Sequence, residues 1–420
     1  MNFQHDADFA ARLDRADPLA RYRDLFHVPA GSVYLCGNSL GLQPKSTAAA
    51  VQQELEDWQR LGVEGHEHAR NPWMPYHSFV TGSLARLTGA LPEEVVAMNG
   101  LTVNLHLMMV SFYQPTAERH KIIMEANAFP SDRYAVESQL RNHGYDPATT
   151  LVILQPREGE IVLRDDDVLD AIARHGAETA LVLMGGVNYY TGQLFDMESI
   201  TREARKHGCR VAFDLAHAAG NVPLRLHDWG PDFCCWCSYK YLNAGPGGVA
   251  GCFVHERHAS NFSLPRFAGW WGHDQATRFQ MGPEFHAMRG AEGWQLSNPP
   301  IFSMAALKAS LEILDQAGMN ALRAKSEQLT GYMEFLLQPL TRRGVRILTP
   351  AEPSRRGCQL SLTMPAHGRR IFDMLIADKM ICDWREPDCI RVAPAPLYNS
   401  FADVFDFVAA LTAALARAGA

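Results

Sequence analysis

The sequence predicts an α/β protein in which a mostly parallel sheet is covered by helices on both faces, beside a smaller α+β part built from both chain ends. Two observations carry this. Short apolar, β-branched runs at 121–126, 150–154, 179–184, 210–215 and 233–239 alternate with amphipathic stretches at 131–143, 165–175 and 197–207. Strands without polar alternation, separated by helices, are the pattern of a parallel sheet buried on both sides. After Pro299–Pro300 the texture changes. Two long helical stretches (304–317 and 320–340) lead to short strands at 359–363, 380–383 and 390–392, and then to a last helix at 403–417. These features place a large α/β domain at 55–295, with 1–54 and 296–420 together forming the small domain.

Composition narrows the function classes. A chain of 420 residues is past the size at which a single core stops growing, so two domains are expected. The formal charge of −7 removes the electrostatic basis for a nucleic-acid or anionic-membrane surface as the main business. Residues 1–23 carry Asp6, Asp8, Arg12, Asp14, Arg15 and Asp17, which suits a surface helix rather than a leader or anchor. The nine cysteines are odd in number and mostly lie in apolar runs, as expected of reduced thiols in a cytoplasmic protein.

In an open parallel sheet, ligands bind beyond the carboxyl ends of the strands, so polar residues that end apolar runs are the candidates. Asp214 ends one such run, and Tyr239 and Lys240 end the next. A strand-end Asp or Lys taken singly is more often solvated or ion-paired. Together, a lysine able to form a Schiff base and a carboxylate able to hold a pyridinium protonated are the minimal equipment for pyridoxal phosphate. A phosphate also needs a cradle. The short apolar run at 95–98 is followed by Gly100, Leu101 and Thr102 at the start of an apolar helix (103–112), and Phe129-Pro-Ser-Asp132 opens another. A helix N-terminus offers free N–H groups and a favourable dipole to an anion, although Thr and Ser are also ordinary caps.

Three lookalikes fail on context. The glycines at 245, 247 and 248 precede a strand rather than the helix that a dinucleotide fingerprint requires. Cys234 and Cys237 have zinc spacing but no second pair at a suitable distance, and His255 and His258 are three apart rather than four, so no metal site is expected.

The longer blocks Asn38–Pro44, Met98–His106, Phe129–Asp132, Tyr189–Gly192, Phe213–His217, His227–Gly230, Trp236–Asn243, Gly269–Gly272, Ser297–Pro300 and Ile390–Asn399 together resemble kynureninase, over nearly the whole chain and in the same order. That resemblance implies the type I fold of pyridoxal-phosphate enzymes, with a seven-stranded sheet in its large domain. It gives Lys240 as the Schiff-base lysine and Asp214 as the pyridinium partner. Leu101, Thr102, Phe129, Asp132, His217 and Tyr239 fall on cofactor-contacting positions, and Trp270 and Asn298 close a site shared across a homodimer. Arg391 matches the arginine that holds the amino-acid carboxylate, a task its bidentate fork suits. His66, Ser297 and Asn298 match members that favour 3-hydroxykynurenine. One departure is visible: Gly185 and Gly186 stand where a relative has a hydroxyl residue.

The implied reaction is hydrolysis of L-kynurenine, or its 3-hydroxy form, to an anthranilate and L-alanine, with Lys240 as base and Tyr239 as proton donor and acceptor at the γ-carbonyl. Adjacent strand residues point to opposite faces, so Tyr239 and Lys240 share a site only if the strand ends or bends between them. Two other readings are a cysteine desulfurase, which needs a reactive cysteine on a mobile loop where this chain has Cys358, and a module that binds the cofactor without turnover.

Overall fold

A computed structural model describes residues 3–364 and 366–419. Seven strands form the main sheet: β1 (Val95–Ala97), β2 (Lys121–Glu125), β3 (Leu151–Leu154), β4 (Thr179–Gly185), β5 (Arg210–Asp214), β6 (Phe233–Trp236) and β7 (Gly251–Val254). Their spatial order is β1-β7-β6-β5-β4-β2-β3. Only β7 runs antiparallel to its neighbours. The continuous apolar runs have the predicted cause, burial on both faces. Ile123, Val182, Met184, Val211 and Phe213 face one core, while Ile122, Leu181, Leu183, Ala212 and Phe233 face the other. Register pairs Gly185 with Asp214, and Asp214 with Cys235, so the carboxyl ends of β4, β5 and β6 stop nearly level.

A second, antiparallel sheet has the order β10-β11-β9-β8, from β8 (Arg346–Ile347), β9 (Leu360–Thr363), β10 (Asp383–Arg385) and β11 (Cys389–Val392). Val33–Tyr34 pairs in parallel with Met380–Ile381, joining the two chain ends. A third core under this sheet takes Leu329, Tyr332, Leu362, Ile390, Val404 and Phe407. Leu19, Tyr22, Phe26, Met304, Leu307 and Leu311 belong instead to the core of the main sheet, where the helix Ile301–Ala317 packs on the helices Ser46–Leu61 and Ser78–Thr88.

Three local expectations are corrected. The strand expected at 233–239 stops at Trp236, and the chain bends back through turns in which Asn243 N–H donates to Lys240 O (3.0 Å) and Ala244 N–H to Ser238 O (3.0 Å). The helix expected from 103 begins at Leu101, and its cap is Gly100, which gives no side-chain cap. The N-terminal helix covers only Ala7–Ala16, because Pro18 disfavours helical backbone at Asp17; a separate 3-10 turn follows at Ala20–Leu25.

Candidate active site

The level strand ends open onto a cavity of about 240 Å³. Eight of the sequence-chosen residues line it. Leu101 and Thr102 come from one helix start, Phe129 and Asp132 from another, Asp214 and His217 from the end of β5, and Tyr239 and Lys240 from the bend after β6. That bend answers the alternation problem: with the strand ended at Trp236, neighbouring side chains reach the same cavity. The bend is pinned by the N-terminal segment, where Gly41 N–H donates to Tyr239 O (2.8 Å). A Cβ on Gly41 would lie 2.2 Å from Lys240 O, so only glycine allows this approach.

Lys240 is 9% exposed and its Nζ lies 3.0 Å from His217 Nε2. Phe129 and Tyr239 present their rings at 5.8 and 5.9 Å from the same nitrogen. Burial first, and the Lys240 charge second, push the His217 imidazole well below its usual range, so it is neutral at physiological pH. Asp214 Oδ1 accepts from Ala216 N–H (2.7 Å), which fixes the carboxylate at the strand end. Asp132 is hydrogen-bonded to Asp214. Burial and then the Asp214 charge raise it well above the usual carboxylate range, so Asp132 stands as the neutral donor of the pair.

At the cavity mouth the two helix starts meet. Thr102 Oγ1 and Ser131 Oγ share a hydrogen bond of 2.9 Å, so Thr102 ties the helices together rather than capping its own. The first N–H groups of Leu101–Phe112 have no intrahelical acceptors, and a Cβ on Gly100 would meet nothing within 4 Å. This is an anion cradle opening into the cavity. Inside it, Asp132 Oδ1, His217 Nδ1 and Glu125 Oε2 are buried without hydrogen-bond partners. Orphaned buried polar atoms are rare in folded proteins, and here they surround one cavity, the arrangement a bound polar group resolves.

The other sequence-chosen residues do not line the cavity. Arg391 is 1% exposed on β11 and stands behind Tyr189: its guanidinium donates to Tyr189 O (2.8 Å) and to Asp383, leaving Nε unpaired. Trp270 Nε1 donates to Asn298 Oδ1 (3.0 Å) on the exposed surface, next to exposed Ser297. His66 sits half-buried on the short helix Gly65–His68, edge-on to Trp73 at 5.5 Å, with Nδ1 unpaired.

Sequence reasoning missed Glu125, Ser131, Asn188 and Tyr189, all in the cavity wall. Glu125 was detectable: it ends the apolar run of β2 as Asp214 ends that of β5. At the departure noted in sequence, Gly185 N–H donates to Glu125 Oε1 (3.0 Å). A backbone contact thus stands where a relative has a hydroxyl side chain.

Among the described residues, Glu94, His227 and His255 are close enough to share a cation. Their ligand atoms are already engaged: Glu94 accepts from Leu91 N–H and Glu256 N–H (both 2.8 Å) and pairs with His227 (3.1 Å), while His255 Nδ1 accepts from Arg257 N–H (3.1 Å). The cluster clamps His227–Gly230 to the start of β1. Cys358 is fully buried, and burial raises its thiol to about 12, which leaves it inert rather than poised for sulfur transfer.

Comparison with known proteins agrees with this geometry. The chain is similar to kynureninase of Myxococcus xanthus (strain DK1622), 62% identical over 414 residues covering 97% of each chain. It is also similar to kynureninase of Koribacter versatilis (strain Ellin345), 59% identical over 411 residues and 97% of each. The kynureninase C-terminal domain model matches residues 322–411. Among solved structures, apo cysteine desulfurase from Thermococcus onnurineus NA1 superposes with a TM-score of 0.77 at 17% identity, covering 93% of this chain and 96% of that one. A mutant of C-DES with glycine covalently linked to its PLP cofactor gives 0.77 at 19%, covering 94% and 98%. Those likenesses show a shared fold and no more. Identity above one half over nearly full length decides the family: the chain belongs to the kynureninases.

Proposed function

We propose that this enzyme hydrolyses L-kynurenine or L-3-hydroxykynurenine, using pyridoxal phosphate held in the cavity between the two helix starts and the ends of β4, β5 and β6. Water supplies a hydroxyl to the acyl carbon and a proton to Cβ, so one bond breaks and an anthranilate and L-alanine leave. The single observation that carries the reading is one cavity that holds a buried lysine, a strand-end carboxylate and a free helix N-terminus, in a chain 62% identical to a kynureninase.

The residues present fit the cofactor. Lys240 would hold it covalently, Asp214 would face its ring nitrogen, and the N–H groups at Leu101 and Thr102 would take its phosphate. Bound there, it would supply an electron sink for the charge left on Cα. Lys240 would take the α-proton, with the neutral His217 imidazole 3.0 Å from its Nζ. Tyr239 delivers a proton to the γ-carbonyl as a phenol, because burial raises its hydroxyl and disfavours the phenolate. Arg391 has an unpaired Nε behind Tyr189 for the substrate carboxylate.

His66, Trp270, Ser297 and Asn298 are read as the ring end of the site, delivered from a second copy in a homodimer and favouring the 3-hydroxy substrate. The enzyme is further read as cytoplasmic, with its nine thiols unpaired, acting in tryptophan degradation or NAD biosynthesis. The test is spectroscopic: purified protein with pyridoxal phosphate should show a band near the visible edge that Lys240→Ala abolishes. Kynurenine should then yield anthranilate fluorescence. A band without product would leave a silent binder.

A further inference from the structure

Glu125, like Asp132, is an ionisable group of the cavity that this mechanism leaves without work. It ends β2 at 3% exposure, and it faces Asp132 from the helix Pro130–Asn142, Asp214 from β5, and Lys240 and Tyr239 from the bend after β6. Its neighbour in β3 is the apolar Leu154. On its other side, Tyr189 and the mutually paired Arg133 and Glu137 (2.8 Å) line a separate cleft. Oε1 accepts the Gly185 N–H at 3.0 Å, while Oε2 has no partner. That division suits a neutral acid, whose carbonyl oxygen accepts and whose hydroxyl waits for an acceptor.

Charge arithmetic supports the same state. With Asp132 neutral, an ionised Glu125 would still set two carboxylates beside the single ammonium of Lys240 in a largely buried space. A phosphate-bearing ligand would bring roughly two further negative charges. Low-dielectric surroundings do not tolerate that excess, and acids in such places take up protons instead.

We propose that Glu125 is a positioning residue that sets the charge of the cofactor pocket: as a neutral acid it leaves Asp214 as the sole carboxylate beside the cofactor, and its ionisation weakens cofactor binding. This rests on the pyridoxal phosphate reading above. Burial raises the Glu125 carboxyl to about 7, with the Asp214 charge a smaller contribution, so the change of state falls within the range where the protein can be handled. The raised value means that the neutral form dominates below that pH and the carboxylate above it.

The test compares Glu125→Gln, which is permanently neutral, with the wild-type apo protein by titrating each with pyridoxal phosphate at pH 6 and pH 8.5 and following intrinsic fluorescence. The two dissociation constants should agree within about twofold at pH 6. At pH 8.5 wild type should bind three- to tenfold more weakly than the variant. A ratio that does not change with pH, as a purely structural role would give, overturns the inference while leaving the cofactor reading intact. No binding to wild type at either pH overturns both. Should the variant not fold, the infrared difference spectrum of the wild-type apo protein between the two pH values decides: any protonated-carboxyl signal common to both, such as that of Asp132, cancels, so a band for loss of one protonated carboxyl is expected from Glu125, and a difference spectrum without such a band refutes the idea.

Discussion

The cavity and the surface segment that carries Trp270 and Asn298 differ in almost every physical respect. The cavity is made of buried ionisable groups whose protonation is set by burial first and by one another second: Asp132 is raised by desolvation and then by the Asp214 charge, and His217 is lowered by desolvation and then by Lys240. The segment is aromatic, and it exposes Phe262, Phe267, Trp270, Phe279 and Met281 by between 42% and 71%. Exposed apolar residues gathered in one stretch mark a surface made to be covered. The proposed chemistry is thus gathered within one chain, where charges can be desolvated against each other. Trp270, Ser297 and Asn298, proposed for the ring end, lie on an exposed stretch that a second copy would cover.

Breaking the cavity should have the largest effect. Asp214→Ala removes the acceptor of the Asp132 proton and the counter-charge proposed for the cofactor ring, and turnover should fall by about 10³-fold or more. Lys240→Ala should do at least as much and erase the visible band. Near-normal rates in the Asp214 variant would dismiss its role.

Arg391 lies between the two regions in kind: buried like the cavity, yet outside its wall. Arg391→Ala removes one of the two guanidinium partners of Asp383, which is 7% exposed and keeps Arg385 at 2.8 Å. Urea unfolding should show a loss of about 1.5–3 kcal/mol, and KM should rise more than kcat falls. An unchanged KM in a folded variant would mean that Arg391 serves only to hold Asp383 and Tyr189.

The exposed segment can be tested by mixing. If Trp270 and Asn298 complete the partner's site, Lys240→Ala subunits combined with a Trp270→Ala/Asn298→Ala double variant form hybrids with one intact site. At equal mixing that restores roughly a quarter of wild-type sites, since half the dimers of a statistical C2 mixture are hybrid. Activity no greater than the mean of the two parents would confine the site to one chain.

The contrast also explains what could be read from sequence. Strand-end chemistry was legible because parallel topology sends apolar runs to a common edge, so Asp214 and Lys240 could be found by where their runs stop. The same rule applied to every strand would have found Glu125. The convergence of Thr102 with Ser131 was not legible, since nothing local tells that two helix starts will meet at 2.9 Å. Nor was the bend that turns Tyr239 and Lys240 to one side, which rests on long-range anchoring by Gly41. The position of Arg391 behind Tyr189 depends on how the second sheet packs, information that no single segment carries.

The smallest expected effect concerns His66, which belongs neither to the cavity wall nor to that segment. His66 has an unpaired Nδ1, and its ring is held edge-on by Trp73, whose indole Nε1 is itself anchored on Glu54 (3.0 Å). A Cβ on Gly65 would lie 2.4 Å from the Trp73 ring, so the glycine is what lets the two aromatic groups meet. Such a fixed imidazole offers a hydrogen bond to a ring hydroxyl and little to an unsubstituted ring. One hydrogen bond contributes about 0.5–1.5 kcal/mol net, equivalent to roughly two- to tenfold in kcat/KM. His66→Phe keeps the aromatic packing and removes the polar partner. The kcat/KM ratio of 3-hydroxykynurenine to kynurenine should therefore fall by that factor, while the value for kynurenine itself moves by less than about twofold. Equal losses on both substrates would make His66 a packing residue, and a wild-type preference for kynurenine would remove the basis for assigning it to the hydroxyl.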